Sequence, residues 1–277
     1  MSALVDADQL HAELQEVLPL RPVVLDVQFE LGGRHGHELY AAGHLPGAVH
    51  LDLDSALAGP PGDGGRHPLP DPAVLEDALR EAGVDDEVRV VVYDQATSLA
   101  AARAWWVLRW AGLPDVRVLD GGLVAWHDAG HEVSTEPAVR PPGTVTVTPG
   151  SLPVLGAEDA ARLAREGVLL DARTPERFRG EQEPIDPVAG HVPGAVNLPM
   201  AELLDPDGRM LPPEELRARL AAAGVDGTAP VGTSCGSGIT AAHTVLALHE
   251  AGLEGVPYIG SWSHWITDPT RPVTTGD

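Results

Sequence analysis

Short runs of apolar, mostly β-branched residues alternate along the chain with longer stretches rich in Ala and Leu. VVVYD (90–94) is followed by SLAAARAWWVLRWAG (98–112), and PVGTS (230–234) by TAAHTVLALHEAG (240–252). The first member of each pair reads as a buried strand and the second as a helix, with Gly252 placed to stop the latter. PAVLEDALREAG (72–83) and PPEELRARLAAAG (212–224) open on Pro and acidic residues and close on Gly. That order fits a helix with an N-terminal proline and a favourable charge beside its first turn. Strands alternating with helices predict an α/β fold built on mainly parallel sheets flanked by helices.

The pattern occurs twice. AAGHLPGAVHL (41–51) returns as VAGHVPGAVNL (188–198), and an apolar run ending in Asp precedes each copy, VVLDV (23–27) and LLDAR (169–173). AGVDDEVRVVVYD (82–94) is answered by AGVDGTAPVGTSC (223–235), and DGGLVAW (120–126) by IGSWSHW (259–265). Four matches in the same order indicate a duplicated domain. The spans expected are 1–140 and 150–277, divided in the Pro-, Gly- and Thr-rich stretch near 135–153.

Composition narrows the chemistry. A length of 277 residues suits two domains. A net charge of −23, with all 18 basic residues Arg, disfavours nucleic-acid and anionic-membrane partners, because phosphate binding needs clustered cations. No apolar run is long enough to span a bilayer. The N-terminal MSALVDADQLHAELQEV carries acids where a signal peptide carries positive charge, so a cytoplasmic location is expected. A single cysteine, Cys235, excludes an internal disulfide and a multi-cysteine metal site. An anionic substrate must find a local reversal of the overall field, which makes individual arginines informative.

Cys235 stands where a strand is expected to end, about five residues before a helix. Gly236 and Gly238 allow a tight curl whose backbone N–H groups face the sulfur. The helix N-terminus adds partial positive charge there, and both effects favour thiolate over thiol. An anionic terminal sulfur on Cys235 would be held by the same groups.

With these motifs in place the chain resembles the tandem rhodanese family of thiosulfate and 3-mercaptopyruvate sulfurtransferases over roughly 20–268. GHLPGAVHL, GHVPGAVNL and GSWSHW are similar to its signatures, and the loop Cys235-Gly236-Ser237-Gly238-Ile239-Thr240 is similar to the CGSGVT loop of mercaptopyruvate enzymes. The resemblance implies two tandem rhodanese-like domains, the first catalytically silent. Asp94 falls opposite Cys235, and a carboxylate cannot carry sulfane sulfur. Ala241 stands where a related phosphatase would need Arg, which disfavours phosphate-ester chemistry.

The resemblance also implies further site residues. Arg177 matches an arginine that binds the donor carboxylate, with Arg179 two positions on. Asp54 and His67 match an acid and a histidine directed at the loop serine, Ser237, as an Asp–His–Ser relay to the leaving group. Gly236, Gly238, Ile239 and Thr240 complete the loop that receives the substrate. A second substrate arginine is expected in a Glu-Pro-Arg context, but Glu183-Pro184 is followed by Ile185. His44 and His191 recur in both copies and are read as structural, and Trp105, Trp106 and Trp110 as packing.

The expected partners are a small anionic sulfur donor and a cyanide or thiol acceptor, thioredoxin among them, with no metal or organic cofactor. Mercaptopyruvate is the donor the loop favours. Thiosulfate, or a non-catalytic sulfur-relay module, is the alternative.

Overall fold

The computed structural model describes residues 2–17 and 21–277; Met1 and residues 18–20, within the span expected for the first domain, lie outside the described residues. The chain forms two compact units. One comprises Met1–Gly59, Leu69–Leu152 and Pro206–Met210, and the other Pro60–Pro68, Pro153–Asp205 and Leu211–Asp277.

The first unit runs β1 (Leu4–Val5), α1 (Ala7–Leu14), β2 (Val23–Asp26), α2 (Gly36–Ala42), β3 (Val49–His50), α3 (Leu53–Ala56), α4 (Pro72–Glu81), β4 (Val90–Tyr93), α5 (Leu99–Trp110), β5 (Val116–Leu119) and α6 (Gly122–Asp128). Its sheet has the order β1-β5-β4-β2-β3. The second runs α7 (Ala157–Glu166), β6 (Val168–Asp171), α8 (Pro175–Phe178), β7 (Val196–Asn197), a 3-10 turn (Met200–Leu203), α9 (Pro213–Ala222), β8 (Val231–Ser234), α10 (Ile239–Glu250), β9 (Val256–Pro257) and α11 (Ser261–Trp265). Its sheet, β7-β6-β8-β9, repeats the order β3-β2-β4-β5 without a counterpart of β1.

Every pairing within the two sheets is parallel. Parallel sheets are covered on both faces, so their central strands are apolar without alternation. All four residues of β2, β4, β6 and β8 are buried accordingly. The helices that follow β4 and β8 are buried almost all round. In α5, Ala100–Ala102, Trp105 and Trp106 pack inside, and in α10, Ala241, Ala242 and Leu246–Leu248 do so. The four helices expected from the sequence appear within two residues of their expected ends.

The repeated histidines are structural in both units. His44 Nδ1 lies 2.8 Å from the Tyr40 carbonyl and Nε2 3.0 Å from that of Glu136, with its ring stacked on Tyr40. His191 Nδ1 lies 2.7 Å from the Phe178 carbonyl and its ring stacks on Phe178. No helix among the described residues is long and apolar enough to cross a membrane.

Candidate active site

The carboxyl end of a strand inside a parallel sheet is where such folds bind ligands, and Cys235 directly follows the last residue of β8 there. Thr233 Oγ1 donates to the Ala241 carbonyl at 3.0 Å, fixing α10 against the strand that precedes it. Gly238, the residue before α10, has φ +89°. A Cβ there would sit 2.1 Å from the Ile259 carbonyl oxygen, so only glycine fits. From this position the Gly238 N–H donates to Cys235 Sγ at 3.1 Å.

The loop is also zipped to the start of α11. The N–H groups of Trp262 and Ser263 donate to the carbonyls of Cys235 and Gly236 at 3.0 and 2.9 Å. Cys235 N–H donates to Ser261 Oγ at 3.0 Å, and that hydroxyl donates to the Tyr258 carbonyl at 2.7 Å while standing 3.8 Å from Sγ. Ser261 is fully buried and has φ +50°. A non-glycine residue held there is strained, as residues that shape a site often are. Ser261 and Ser263 therefore give the GSWSHW motif its local purpose.

Two guanidinium groups face Gly236. From the point a Cβ would occupy, Arg66 Nη2 is 2.9 Å away and Arg177 Nη1 and Nη2 are each 3.5 Å away. Arg177 donates from Nε and Nη2 to Glu183 (2.7 Å at the closest) and from Nη2 to Asp186 at 3.2 Å. Asp186 also accepts from Arg66 Nη1. Glu183 Oε2 lies 3.5 Å from Arg173, which forms a buried pair with Asp171 and lies over the Trp262 ring.

The result is an alternating chain of charge: Asp171, Arg173, Glu183, Arg177, Asp186, Arg66. Burial works against the charge of Arg173, yet Asp171 and Glu183 outweigh it and raise the pKa further. Burial likewise pushes Glu183 up, but Arg177 and the Asp186 amide prevail and hold it below the usual carboxylate range. For Asp186 burial prevails over Arg66, and its carboxyl is raised.

Because Glu183 titrates lower folded than its ordinary value of 4.5, it stabilises the fold above that pH, and the contribution fades as pH falls through the folded value. Glu183→Ala, which leaves buried guanidinium charge unpaired, is expected to cost about 3 kcal/mol at pH 7. The stability gap between wild type and Glu183→Gln should narrow below pH 4.5, as read from urea denaturation across pH.

Several residues expected at the site meet within the second unit. His67 Nδ1 lies 2.8 Å from Ser237 Oγ, both side chains being buried. Arg177 and Gly238 are placed as described. Gly236 owes its identity to the space taken by the arginines, since its φ is not positive. Ile239 is buried at the first turn of α10, and the Thr240 carbonyl accepts from Thr244 Oγ1 at 3.4 Å. Arg179 is not brought to the cluster; it pairs with exposed Glu181 at 2.8 Å. Asp54 belongs to the first unit, on α3, with its carboxyl raised by partial desolvation and by Asp52. Ile185 is 41% exposed. Arg66, Glu183, Asp186, Ser261 and Ser263 were not anticipated as site residues.

The first unit carries a counterpart loop. After β4, Asp94 accepts from four backbone N–H groups at the head of α5, those of Ala96, Ser98, Ala100 and Ala101, at 2.8–3.2 Å. The loop is one residue longer than that of Cys235, and Ser98, at φ 57°, takes the place of Gly238 as N-cap.

Comparison with known proteins agrees with the doubled architecture. A model of the rhodanese-like domain matches residues 6–129 and again 156–268. A Pseudomonas aeruginosa protein named probable 3-mercaptopyruvate sulfurtransferase is 47% identical over 285 residues, covering 99% of this chain and 98% of its own. SseB of Mycobacterium tuberculosis, whose name assigns it provisionally to thiosulfate sulfurtransfer, is 44% identical over 279 residues, covering 99% and 97%. The crystal structure of SseA from Escherichia coli, a 3-mercaptopyruvate enzyme, superposes with a TM-score of 0.83 at 32% identity, covering 95% of this chain and 100% of that one. Two matching domains, a shared α/β architecture and this likeness along nearly the whole length place the chain in the rhodanese family, as a member with two rhodanese-like domains in tandem.

Proposed function

We propose that the protein is a sulfurtransferase that takes sulfur from 3-mercaptopyruvate onto Cys235 and passes it, as a persulfide, to a thiol or to cyanide. The observation that carries this reading is the lone thiol at the head of α10, with the Gly238 amide 3.1 Å from Sγ and two guanidinium groups facing the neighbouring residue. A guanidinium suits a donor carboxylate because its N–H groups form a planar fork.

With the donor held by Arg177, the Cys235 thiolate attacks its thiol sulfur. An S–S bond forms, the C–S bond breaks, and the electron pair leaves as the enolate of pyruvate. The donor's thiol proton, acidic once on the persulfide, reaches the enolate carbon through Ser237 and His67. Pyruvate departs and an anionic persulfide remains, cradled by the Gly236–Thr240 loop. Cyanide then attacks the terminal sulfur, leaves as thiocyanate and restores the thiolate; a thiol accepts the sulfur in the same way. A dithiol protein of the thioredoxin kind, in a reducing cytoplasm, suits the second step.

Thiosulfate is the second reading, favoured by the paired guanidinium groups and by the name of the Mycobacterium tuberculosis relative. Mass spectrometry of the donor-treated protein is expected to show about +32 Da on the Cys235 peptide, as covalent catalysis requires. A peptide that stays unmodified with either donor would overturn sulfur transfer altogether. The kcat/KM for mercaptopyruvate is expected to exceed that for thiosulfate by at least about tenfold, and the reverse order would make thiosulfate the donor.

A further inference from the structure

We propose that the second unit carries a binding site for a small organic dication with an alkyl body, of the diamine or alkylguanidine class, in the cleft at the amino end of its sheet. The site lies at the opposite end of β8 from Cys235 and does not depend on the sulfur chemistry.

The cleft measures about 900 Å³, a size typical of small-molecule sites. Leu155, Leu163, Val231 and Val256 give it an apolar floor, and Glu166 and Glu254 also line it. Both carboxylates are exposed, and neither is held in an ion pair among the described residues. Arg162, at the same edge, is engaged by Asp159 at 2.7 Å.

The first unit holds cations at the corresponding place. Val91 pairs with Arg117 in its sheet as Gly232 pairs with Val256 in the second. Val23 N–H donates to the Arg89 carbonyl at 2.9 Å, as Val168 N–H does to that of Pro230 at 3.1 Å. α1 and α7 begin at Ala7 and Ala157, which sets Glu13 against Leu163 and Glu16 against Glu166. In the first unit these positions form an ion network. Arg117 Nη1 donates to Glu13 at 3.0 Å, with Asp115 3.9 Å from Nε, and Arg89 pairs with Glu16 and lies 3.8 Å from Glu13.

In the second unit Pro230 and Val256 stand where both arginines would be, and Leu163 stands in place of Glu13. The outer acids remain: Glu166 matches Glu16, and Glu254, two residues before Val256, matches Asp115. What is missing is therefore a pair of aliphatic stems with cationic ends. What is left is an apolar bed of the kind such stems lie along and carboxylates to receive the ends. A ligand that fills this place carries two positive groups on an alkyl chain, and the net charge of −23 favours its approach.

Agmatine, a guanidinium and an ammonium on a butyl chain, is the probe. Isothermal calorimetry of the full chain in about 0.15 M salt, which screens distant charges, should give one saturable site with Kd of about 1 mM or tighter. Glu166→Gln and Glu254→Gln should each weaken binding about three- to tenfold. Val256→Arg, which restores the guanidinium of the first unit, should abolish binding. Glu214→Gln, at an exposed position of α9, should bind as wild type does, and pentan-1-ol, uncharged, at least about tenfold more weakly than agmatine. Urea melts of the two cleft Gln variants should match wild type, which separates lost binding from unfolding.

Agmatine binding weaker than about 1 mM would overturn the site. So would unchanged affinity in both cleft Gln variants, or an equal loss in Glu214→Gln, which marks a diffuse field. Parity between agmatine and pentan-1-ol would overturn the preference for a cation.

Discussion

Replacing Cys235 with serine is expected to lower kcat by on the order of 10⁴-fold or more, the scale of losing a nucleophile, while leaving the fold nearly intact. The hydroxyl is smaller and can still accept from the Gly238 N–H, which donates to sulfur in the native loop. The side chain packs against Ala172 and Ala241, so the lost contact should change stability by only about 1 kcal/mol. Oxygen at this position does not ionise near neutral pH and is a poor nucleophile toward sulfur. Turnover, the mass of the donor-treated protein and a urea melt together give the test. Residual transfer at a tenth of the native rate would move the chemistry to another group.

Gly238→Ala should be the most damaging single methyl in the second unit. Its Cβ would lie 2.1 Å from the Ile259 oxygen and 2.9 Å from that residue's carbonyl carbon. Both are backbone atoms, so relief requires the chain before α11 to move. An alanine at φ +89° adds conformational strain of its own. The combined cost is about 3 kcal/mol or more. Because Ile259 lies two residues before Ser261, the displacement also unzips the contacts of Cys235 with α11. A lowered urea midpoint and slower alkylation of Cys235 by iodoacetamide are the expected signs, and a variant with native stability would mean the loop has an alternative path.

The fold was largely legible because its evidence is local or repeated. The apolar runs of β4 and β8, the Ala-rich helices behind them and the doubled GH-P-GAV motif each report the same α/β unit, and the sheets proved wholly parallel. That Cys235, Ser237, Gly238 and Arg177 stand close together was legible from the loop and the family likeness. Arg66, Ser261, Ser263, Glu183 and Asp186 were not. Arg66 and Ser263 meet only when residues 60–68 dock on 259–265, nearly two hundred positions away, and no periodicity records such a contact. Arg179 shows the converse: it neighbours Arg177 in RFRG, but its side chain turns toward Glu181.

Asp94 bears on how many sulfur atoms the enzyme holds. The head of α5 offers four amides to an anion, and the chain fills that seat with its own carboxylate. A free anion arriving there would find the donors already engaged. Loading should therefore end at one equivalent per polypeptide despite the twofold internal repeat.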